Sequence, residues 1–167
     1  MPTRDVLRYP HPGLKRVCAD VGPGVEAARV ARDLVDTMRS FPRCVGLAAP
    51  QIGEEVRIVV VDVTDHPRTS TSNGLLVLVD PVVVATPGGE VGREGCLSIP
   101  EFTANVPRAT RVAVRATTPD GRLVEVECEG FEARAVQHEL DHLDGILFLD
   151  RIATSADLFP RRRASRG

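Results

Sequence analysis

The sequence predicts a compact α+β domain in which antiparallel or mixed β-sheets pack around a central late helix. Three observations lead to this prediction: an early stretch with helical spacing of apolar residues, a middle region of short β-branched runs, and a late stretch rich in helix formers. The length of 167 residues is about that of one domain. We therefore expect one domain over residues 1–152 and a short basic tail over residues 153–167.

The first predicted element is an amphipathic helix over residues 26–41. Its apolar residues recur at intervals of three and four positions, and Pro42 cannot continue the helix. The next element, residues 56–63, is a β-branched run of the kind found in buried strands.

The middle of the chain predicts further strands. Residues 75–79 and 82–84 form two pieces on either side of Asp80-Pro81. Because proline cannot donate a hydrogen bond to a sheet, we expect a bend or a sheet edge at that point. Residues 111–116 and 122–128 alternate apolar with polar positions around a Pro-Asp-Gly turn, which predicts a β-hairpin.

Composition argues against several functional classes. The chain has 21 basic and 23 acidic residues, so a general nucleic-acid surface is not indicated. It shows no apolar run of the ~18 residues that a membrane span needs and no signal-peptide stretch, so we expect a cytoplasmic protein.

The four cysteines form no C-x-x-C pair, so a disulfide framework is not expected. A cluster of arginines near the end is either a solvated tail or a weak contact for a polyanion such as RNA: Arg161, Arg162, Arg163 and Arg166.

The late helix, predicted over residues 131–143, carries the motif His138-Glu139-Leu140-Asp141-His142. Residues four apart on a helix leave the same face, so both imidazoles are able to share one metal ion. Glu139 lies beside them and is free to act as a base. The pattern alone also fits two solvent-facing histidines, but two of the four histidines in the chain fall within these five residues.

A catalytic metal site needs a third protein ligand and an open position for water. No histidine and no glutamate follow His142, so an upstream ligand is favoured. The best candidate is Cys96, because the preceding Gly95 lets the backbone approach closely. The alternative is a buried structural cysteine, which is our interpretation of Cys18 and Cys128.

A third segment, Gly46-Leu47-Ala48-Ala49-Pro50-Gln51-Ile52-Gly53, combines small residues with one neutral amide. Its glycines permit a close backbone path, and Gln51 is positioned to donate a hydrogen bond to a ligand. A tight turn that leads into the strand at Val56 explains the same residues equally well.

In their order and spacing, the three segments resemble the signature of the peptide deformylase family. That family carries the elements G-x-A-A-x-Q, E-G-C-L-S and Q-H-E-x-D-H-L-x-G, which match residues 46–51, 94–98 and 137–145. The similarity extends from Tyr9-Pro10-His11-Pro12 to Leu147-Phe148-Leu149-Asp150. Three motifs in register are far more specific than any one of them.

The resemblance implies a metal-dependent hydrolase, formed by residues 1–152, that acts on newly made polypeptides. Such an enzyme removes the N-formyl group from the N-terminal formylmethionine and releases formate. By this resemblance, Cys96, His138 and His142 bind one divalent ion, natively Fe(II), with zinc, nickel or cobalt as substitutes. A thiolate with two imidazoles also suits iron or zinc better than magnesium or calcium.

The resemblance further implies roles for the residues around the metal. Glu139 would accept a proton from the attacking water and later pass one to the leaving amine. The Gln51 side-chain amide and the Leu97 backbone N–H would stabilise the oxyanion. The peptide would lie extended beside Gly46, with its methionine side chain in an apolar pocket near Ala135.

Two features depart from the family pattern. Cys44 stands where the family usually has a further glycine, and a side chain there affects the width of the substrate groove. The segment after Phe148 is short, without a clear long helix, which leaves open whether the basic tail contacts the ribosome.

Two other functions fit parts of the sequence. A zinc peptidase also uses H-E-x-x-H, but its third ligand lies downstream of the motif and is rarely a cysteine. A catalytically weak or inactive metal-binding paralogue is the second alternative, and Cys44 is the one sequence feature in its favour.

Overall fold

The structure, a computed structural model, describes residues 3–161. Over that range the chain forms two α-helices, α1 (Val25–Arg39) and α2 (Gly130–Leu143). It also forms eight strands: β1 (Gly46–Ala48), β2 (Ile58–Val61), β3 (Leu76–Ala85), β4 (Glu90–Cys96), β5 (Ile99–Arg108), β6 (Arg111–Thr117), β7 (Leu123–Glu129) and β8 (Leu158–Pro160).

The described strands form two antiparallel sheets. The larger has the order β1-β2-β3-β6-β7 and the smaller has the order β4-β5-β8. Both faces of β2 are buried, because Ile58 and Val60 pack with α1 while Val59 and Val61 pack with α2. The larger sheet therefore lies between the two helices, which explains why β2 reads as a continuous β-branched run.

A separate apolar cluster packs against the smaller sheet. It contains Cys96 at the end of β4 together with Leu14, Ile99 and Phe148. The end of β4 also lies next to α2, where the Cys96 Sγ is 3.5 Å from the His142 Nε2. A stripe of α2, formed by Val136, Leu140 and Leu143, packs into the core of the larger sheet. The face of α2 that carries the histidines is thus turned towards β4.

The predicted α+β class and its most periodic elements are confirmed. Both helices begin and end within two residues of the predicted bounds. The hairpin pairs β6 with β7 in continuous register, from Arg111 with Glu129 to Thr117 with Leu123.

Other elements differ from the sequence prediction. The two predicted strand pieces form one strand, β3, with a register shift between Val79 and Val82. Asp80 adopts a positive φ of 51° at this bulge, and its carboxylate accepts hydrogen bonds from the backbone N–H groups of Val21 and Gly22. The segment at Gly46 forms a short strand before it turns, because it pairs with β2.

The segment predicted as a basic tail is partly structured. Within residues 153–161, β8 pairs with β5, so that Phe159 lies opposite Thr103. Arg162, Arg163 and Arg166 lie outside the described residues. In residues 3–161, no helix is long and apolar enough to cross a membrane.

The packing of α1 on the larger sheet predicts a large stability loss for Leu34→Ala. Leu34 is fully buried against the sheet, and such truncations cost about 2–5 kcal/mol of unfolding free energy. Urea unfolding measures this loss, and Leu123→Ala, at a residue 79% exposed, is the control with an expected change below about 0.5 kcal/mol. Equal losses in the two variants would contradict the packing described.

Candidate metal centre and cleft

Three buried side chains from β4 and α2 come together. The ligand atoms of Cys96, His138 and His142 all lie within 4.8 Å of one another, and the Cys96 Sγ lies 3.5 Å from the His142 Nε2. Among residues 3–161, this is the only such group of three metal-binding side chains. The three residues singled out as ligands in the sequence are therefore close enough to share one ion.

Local backbone features turn these side chains towards each other. The pairing of β4 with β5 shifts register between Gly95 and Cys96, which re-aims the cysteine at the strand end. The two histidines lie one helical turn apart on α2 and their rings are 5.1 Å apart between centroids. Cys18 and Cys128 are buried elsewhere, in agreement with their structural interpretation.

A buried carboxylate orients His138. The Glu94 carboxylate lies 2.9 Å from the His138 Nδ1 and accepts hydrogen bonds from Arg108 at 2.8 and 2.9 Å and from Arg134 at 2.9 Å. Burial alone would raise the pKa of Glu94, but the bonds from Arg108 and His138 hold it well below its usual range. The ionised Glu94 thus accepts a hydrogen bond from the Nδ1–H of His138 and leaves the Nε2 of His138 free to bind a metal.

The same network holds α2 in place. Arg108 bridges Glu94 and Asp141, because its guanidinium also donates a hydrogen bond to the Asp141 carboxylate at 2.5 Å. The same Asp141 carboxylate accepts hydrogen bonds from Arg151 at 2.8 and 2.9 Å. Of these supporting residues, the sequence indicated Asp141, as a hydrogen-bonding group beside the two histidines, but not Glu94, Arg108 or Arg151. For Glu94, the available signal was its position inside the cysteine motif, two residues before Cys96.

Two buried polar atoms at or near Cys96, His138 and His142 have no hydrogen-bond partner among the described residues, which bears on whether these three side chains bind a metal. The Glu139 Oε1 and the His142 Nδ1 are both buried without a hydrogen-bond partner in residues 3–161. Burial and the neighbouring His138 lower the pKa of His142 well below its usual value, so this imidazole is neutral and able to bind a metal. A thiol and two imidazoles beside the unsatisfied Glu139 carboxylate oxygen fit a divalent ion and its water.

Glu139 lies against the backbone of β1. A Cβ on Gly46 would lie 2.7 Å from the Glu139 Oε2, so only glycine leaves room for this carboxylate. Burial raises the pKa of Glu139 to about 7, although the nearby charge of His138 opposes this shift. The carboxylate is thus held beside the ligand cluster in a form suited to proton exchange.

Gln51 points its amide at the same cluster. Its Oε1 accepts from the Ala48 backbone N–H at 3.0 Å, which fixes the orientation of the amide. Its Nε2 donates to the Ser98 Oγ at 3.0 Å and lies 3.5 Å from the Cys96 Sγ. This buried amide is therefore a donor at the edge of the candidate metal centre.

A cleft of about 350 Å³ opens onto these residues. The sequence-predicted residues that line it are Gly46, Gln51, Cys96, Leu97, Ala135, His138 and Glu139. Cys44 also lines the wall, where its thiol donates to the Gly46 carbonyl at 3.3 Å, and burial raises its pKa to about 12. The side chain of Cys44 thus packs at the cleft wall, outside the ligand cluster.

The structure does not favour a zinc peptidase. Of the three acids that follow His142, Asp144 pairs with Arg57 and Asp150 pairs with Lys15. Among residues 3–161, none of the three, Asp157 included, is part of the ligand cluster.

Comparison with known proteins identifies the family. The family model described as polypeptide deformylase matches residues 3–157. The chain is 40% identical over 160 residues to a peptide deformylase of Syntrophobacter fumaroxidans, with 95% of this chain and 92% of that protein covered. It is 48% identical over 134 residues to a peptide deformylase of Thermomicrobium roseum, with 80% and 76% covered.

A solved structure gives the same result. The class I type b peptide deformylase of Acinetobacter baumannii, bound to Met-Ala-Ser, superposes with a TM-score of 0.82 at 34% identity and covers 89% of this chain and 99% of its own. The family resemblance in the sequence is thus confirmed. The chain belongs to the polypeptide deformylase family, the metal-dependent hydrolases that remove the N-formyl group from the terminal methionine of newly made polypeptides.

Proposed function

We propose that this chain deformylates N-formylmethionyl polypeptides with Cys96, His138 and His142 as the ligands of one divalent ion. The observation that supports the proposal most directly is the convergence of these three side chains within 4.8 Å at the cleft, next to a buried carboxylate. The proposed native ion is Fe(II), with zinc, nickel or cobalt as substitutes, in keeping with a donor set of one thiolate and two imidazoles.

When bound, the ion would act as a Lewis acid that lowers the pKa of its bound water and polarises the formyl carbonyl of the substrate. The protein holds the donors in place for this purpose. Glu94 keeps the His138 ring oriented at 2.9 Å, and the neutral His142 presents its Nε2 next to the Cys96 Sγ.

Glu139 is the proposed proton carrier. Its Oε1 is buried beside the ligand cluster and has no hydrogen-bond partner among residues 3–161. It would take a proton from the attacking water at this oxygen and deliver one to the departing amine of methionine. The backbone at Gly46 packs directly against this carboxylate, so the Glu139 side chain has little room to rotate away from the ligand cluster.

Gln51 and Leu97 are the proposed donors to the oxyanion. The Gln51 Nε2 already points at the Cys96 Sγ, and Leu97 lines the cleft directly after that ligand. Donors held in a buried site need no reorganisation as charge develops on the substrate. The peptide would lie extended beside Gly46, and the Acinetobacter relative with bound Met-Ala-Ser supports a substrate that begins with methionine.

We also propose a cytoplasmic location and a transient ribosome contact through the C-terminal arginines. Both proposals follow from the substrate, because nascent polypeptides emerge from ribosomes and guanidinium groups bind RNA phosphates. Arg161 is the one member of this cluster that lies within the described residues.

A direct assay tests the reaction. Protein purified anaerobically with iron should release formate from formyl-Met-Ala-Ser, because the iron-loaded centre supplies both the nucleophile and the oxyanion site. A coupled formate dehydrogenase assay measures the product. Cleavage of an internally quenched peptide without formate release would instead indicate a peptidase, and no formate from fully loaded protein would indicate an inactive paralogue.

Glu139→Gln separates proton transfer from metal binding. The variant should keep about as much metal as the unaltered protein, since Glu139 is not a ligand, and lose at least ~100-fold in kcat, the usual contribution of a general base. Metal analysis and formate release on one sample measure both quantities. Glu125→Gln, an exposed residue on β7, is the matched control, and near-normal turnover by Glu139→Gln would show that the proposed base is wrong.

Cys96→Ser tests the sulfur ligand. Replacing a soft thiolate by a hydroxyl should weaken metal retention about 10–100-fold or change the preferred metal. Competition with a chelator followed by metal quantification gives the affinity. The control Cys128→Ser makes the same change at a buried cysteine away from the cleft, so equal metal loss in the two variants would argue for general destabilisation.

A further inference from the structure

Basic side chains surround the mouth of the cleft. Four exposed arginines line it: Arg43, Arg68, Arg93 and Arg161, which we call the arginine rim. The acids that line the same cleft are Glu94 and Glu139, and both are buried. Since Glu94 is already paired with two buried arginines, the rim retains a net positive charge.

Two members of the rim are held by aromatic rings and hydrogen bonds. The Arg93 guanidinium lies 3.9 Å from the Phe159 ring centroid and donates to the Asn105 Oδ1 at 3.1 Å. Arg68 lies 4.7 Å from the Phe131 ring centroid and donates to the Arg93 carbonyl at 2.8 Å. Part of the positive charge is therefore pre-positioned before any ligand arrives.

The other two members carry charge that no described residue neutralises. In residues 3–161, the side chains of Arg43 and Arg161 form neither an ion pair nor a hydrogen bond. Arg43 has a positive φ of 62°, an uncommon conformation for a residue with a side chain. The Arg161 guanidinium lies against Gly95, where a Cβ would overlap with it, one residue before Cys96. The guanidinium groups of Arg43 and Arg161 thus lie at the cleft and are able to bind an anion.

We propose that the arginine rim selects formylated substrates with Asp or Glu at the second to fourth positions over substrates with Lys or Arg there. This proposal rests on the proposed function, which puts the formyl end at the ligand cluster. An extended peptide rises about 3.3 Å per residue, so the residues after methionine pass the rim as they leave the cleft. A guanidinium group binds a carboxylate through paired hydrogen bonds and repels an ammonium group.

An acidic peptide fits the rim better than RNA does. The four arginines line the cleft that leads to the candidate metal centre, where the formylated end of a substrate is proposed to bind. The whole protein also carries a formal charge of -2, which gives no general attraction for nucleic acid.

The test compares kcat/KM for formyl-Met-Ala-Glu-Glu with kcat/KM for formyl-Met-Ala-Lys-Lys. The unaltered enzyme should favour the acidic peptide by about tenfold at low salt, and the ratio should fall towards one in about 0.5 M NaCl because exposed charges are screened. Arg43→Gln combined with Arg161→Gln should reduce the ratio at least threefold. Because each ratio compares two substrates on one protein sample, partial loss of folded enzyme does not affect it.

The matched control combines Arg115→Gln with Arg122→Gln. These exposed residues belong to the β6–β7 hairpin and do not line the cleft, so the same loss of charge should leave the ratio unchanged. An equal fall in the control would mean that net charge, and not the rim, sets the preference, and this would overturn the proposal.

Other outcomes also decide the question. A ratio near one, or a preference for the lysine peptide, overturns the rim proposal while full turnover of formyl-Met-Ala-Ser leaves the proposed function intact. No formate from any of the three peptides overturns both. Inhibition by a uridine oligonucleotide that is lost in the Arg43 and Arg161 double variant, together with a ratio near one, would assign the rim to nucleic acid instead.

Discussion

The candidate site depends on one buried ion-pair cluster centred on the Glu94 carboxylate. Glu94 belongs to β4, Arg108 ends β5, and Arg134 and His138 belong to α2, so this one carboxylate joins three elements. Removing a single partner from such a buried cluster typically costs about 3–5 kcal/mol, because an uncompensated charge remains. The position of Cys96 relative to the two histidines is therefore fixed by electrostatics as well as by apolar packing.

A third part of the chain, β1 and the turn after it, lines the cleft beside the ligand cluster. The strand β1 and the turn after it contribute Gly46 and Gln51, and the missing side chain at Gly46 lets Glu139 approach the backbone. The larger sheet, buried between α1 and α2, holds β1 at this distance. Gln51, in the turn after β1, thus meets the candidate ligands on β4 and α2 only in the folded protein.

Local patterns predicted the parts of the structure that local interactions determine. The helices and the β6–β7 hairpin follow from residue periodicity, and the two histidines follow from the helical spacing of four residues. Strand β4 was expected only as a strand that leads to Cys96, without bounds, and β5 was not predicted, because Gly92, Gly95, Pro100 and Pro107 interrupt the strand pattern. The roles of Glu94 and Arg108 and the arginine rim depend on contacts between residues distant in sequence, which no spacing rule encodes.

The central claim is that one thiolate and two imidazoles bind a single ion. X-ray absorption spectroscopy of the zinc-substituted protein tests this claim most directly, because the scattering distances identify the donor atoms. We expect one sulfur at about 2.3 Å, two imidazole nitrogens at about 2.0–2.1 Å and one further light atom from solvent. A spectrum without a sulfur donor, or with four protein donors and no solvent atom, would contradict it.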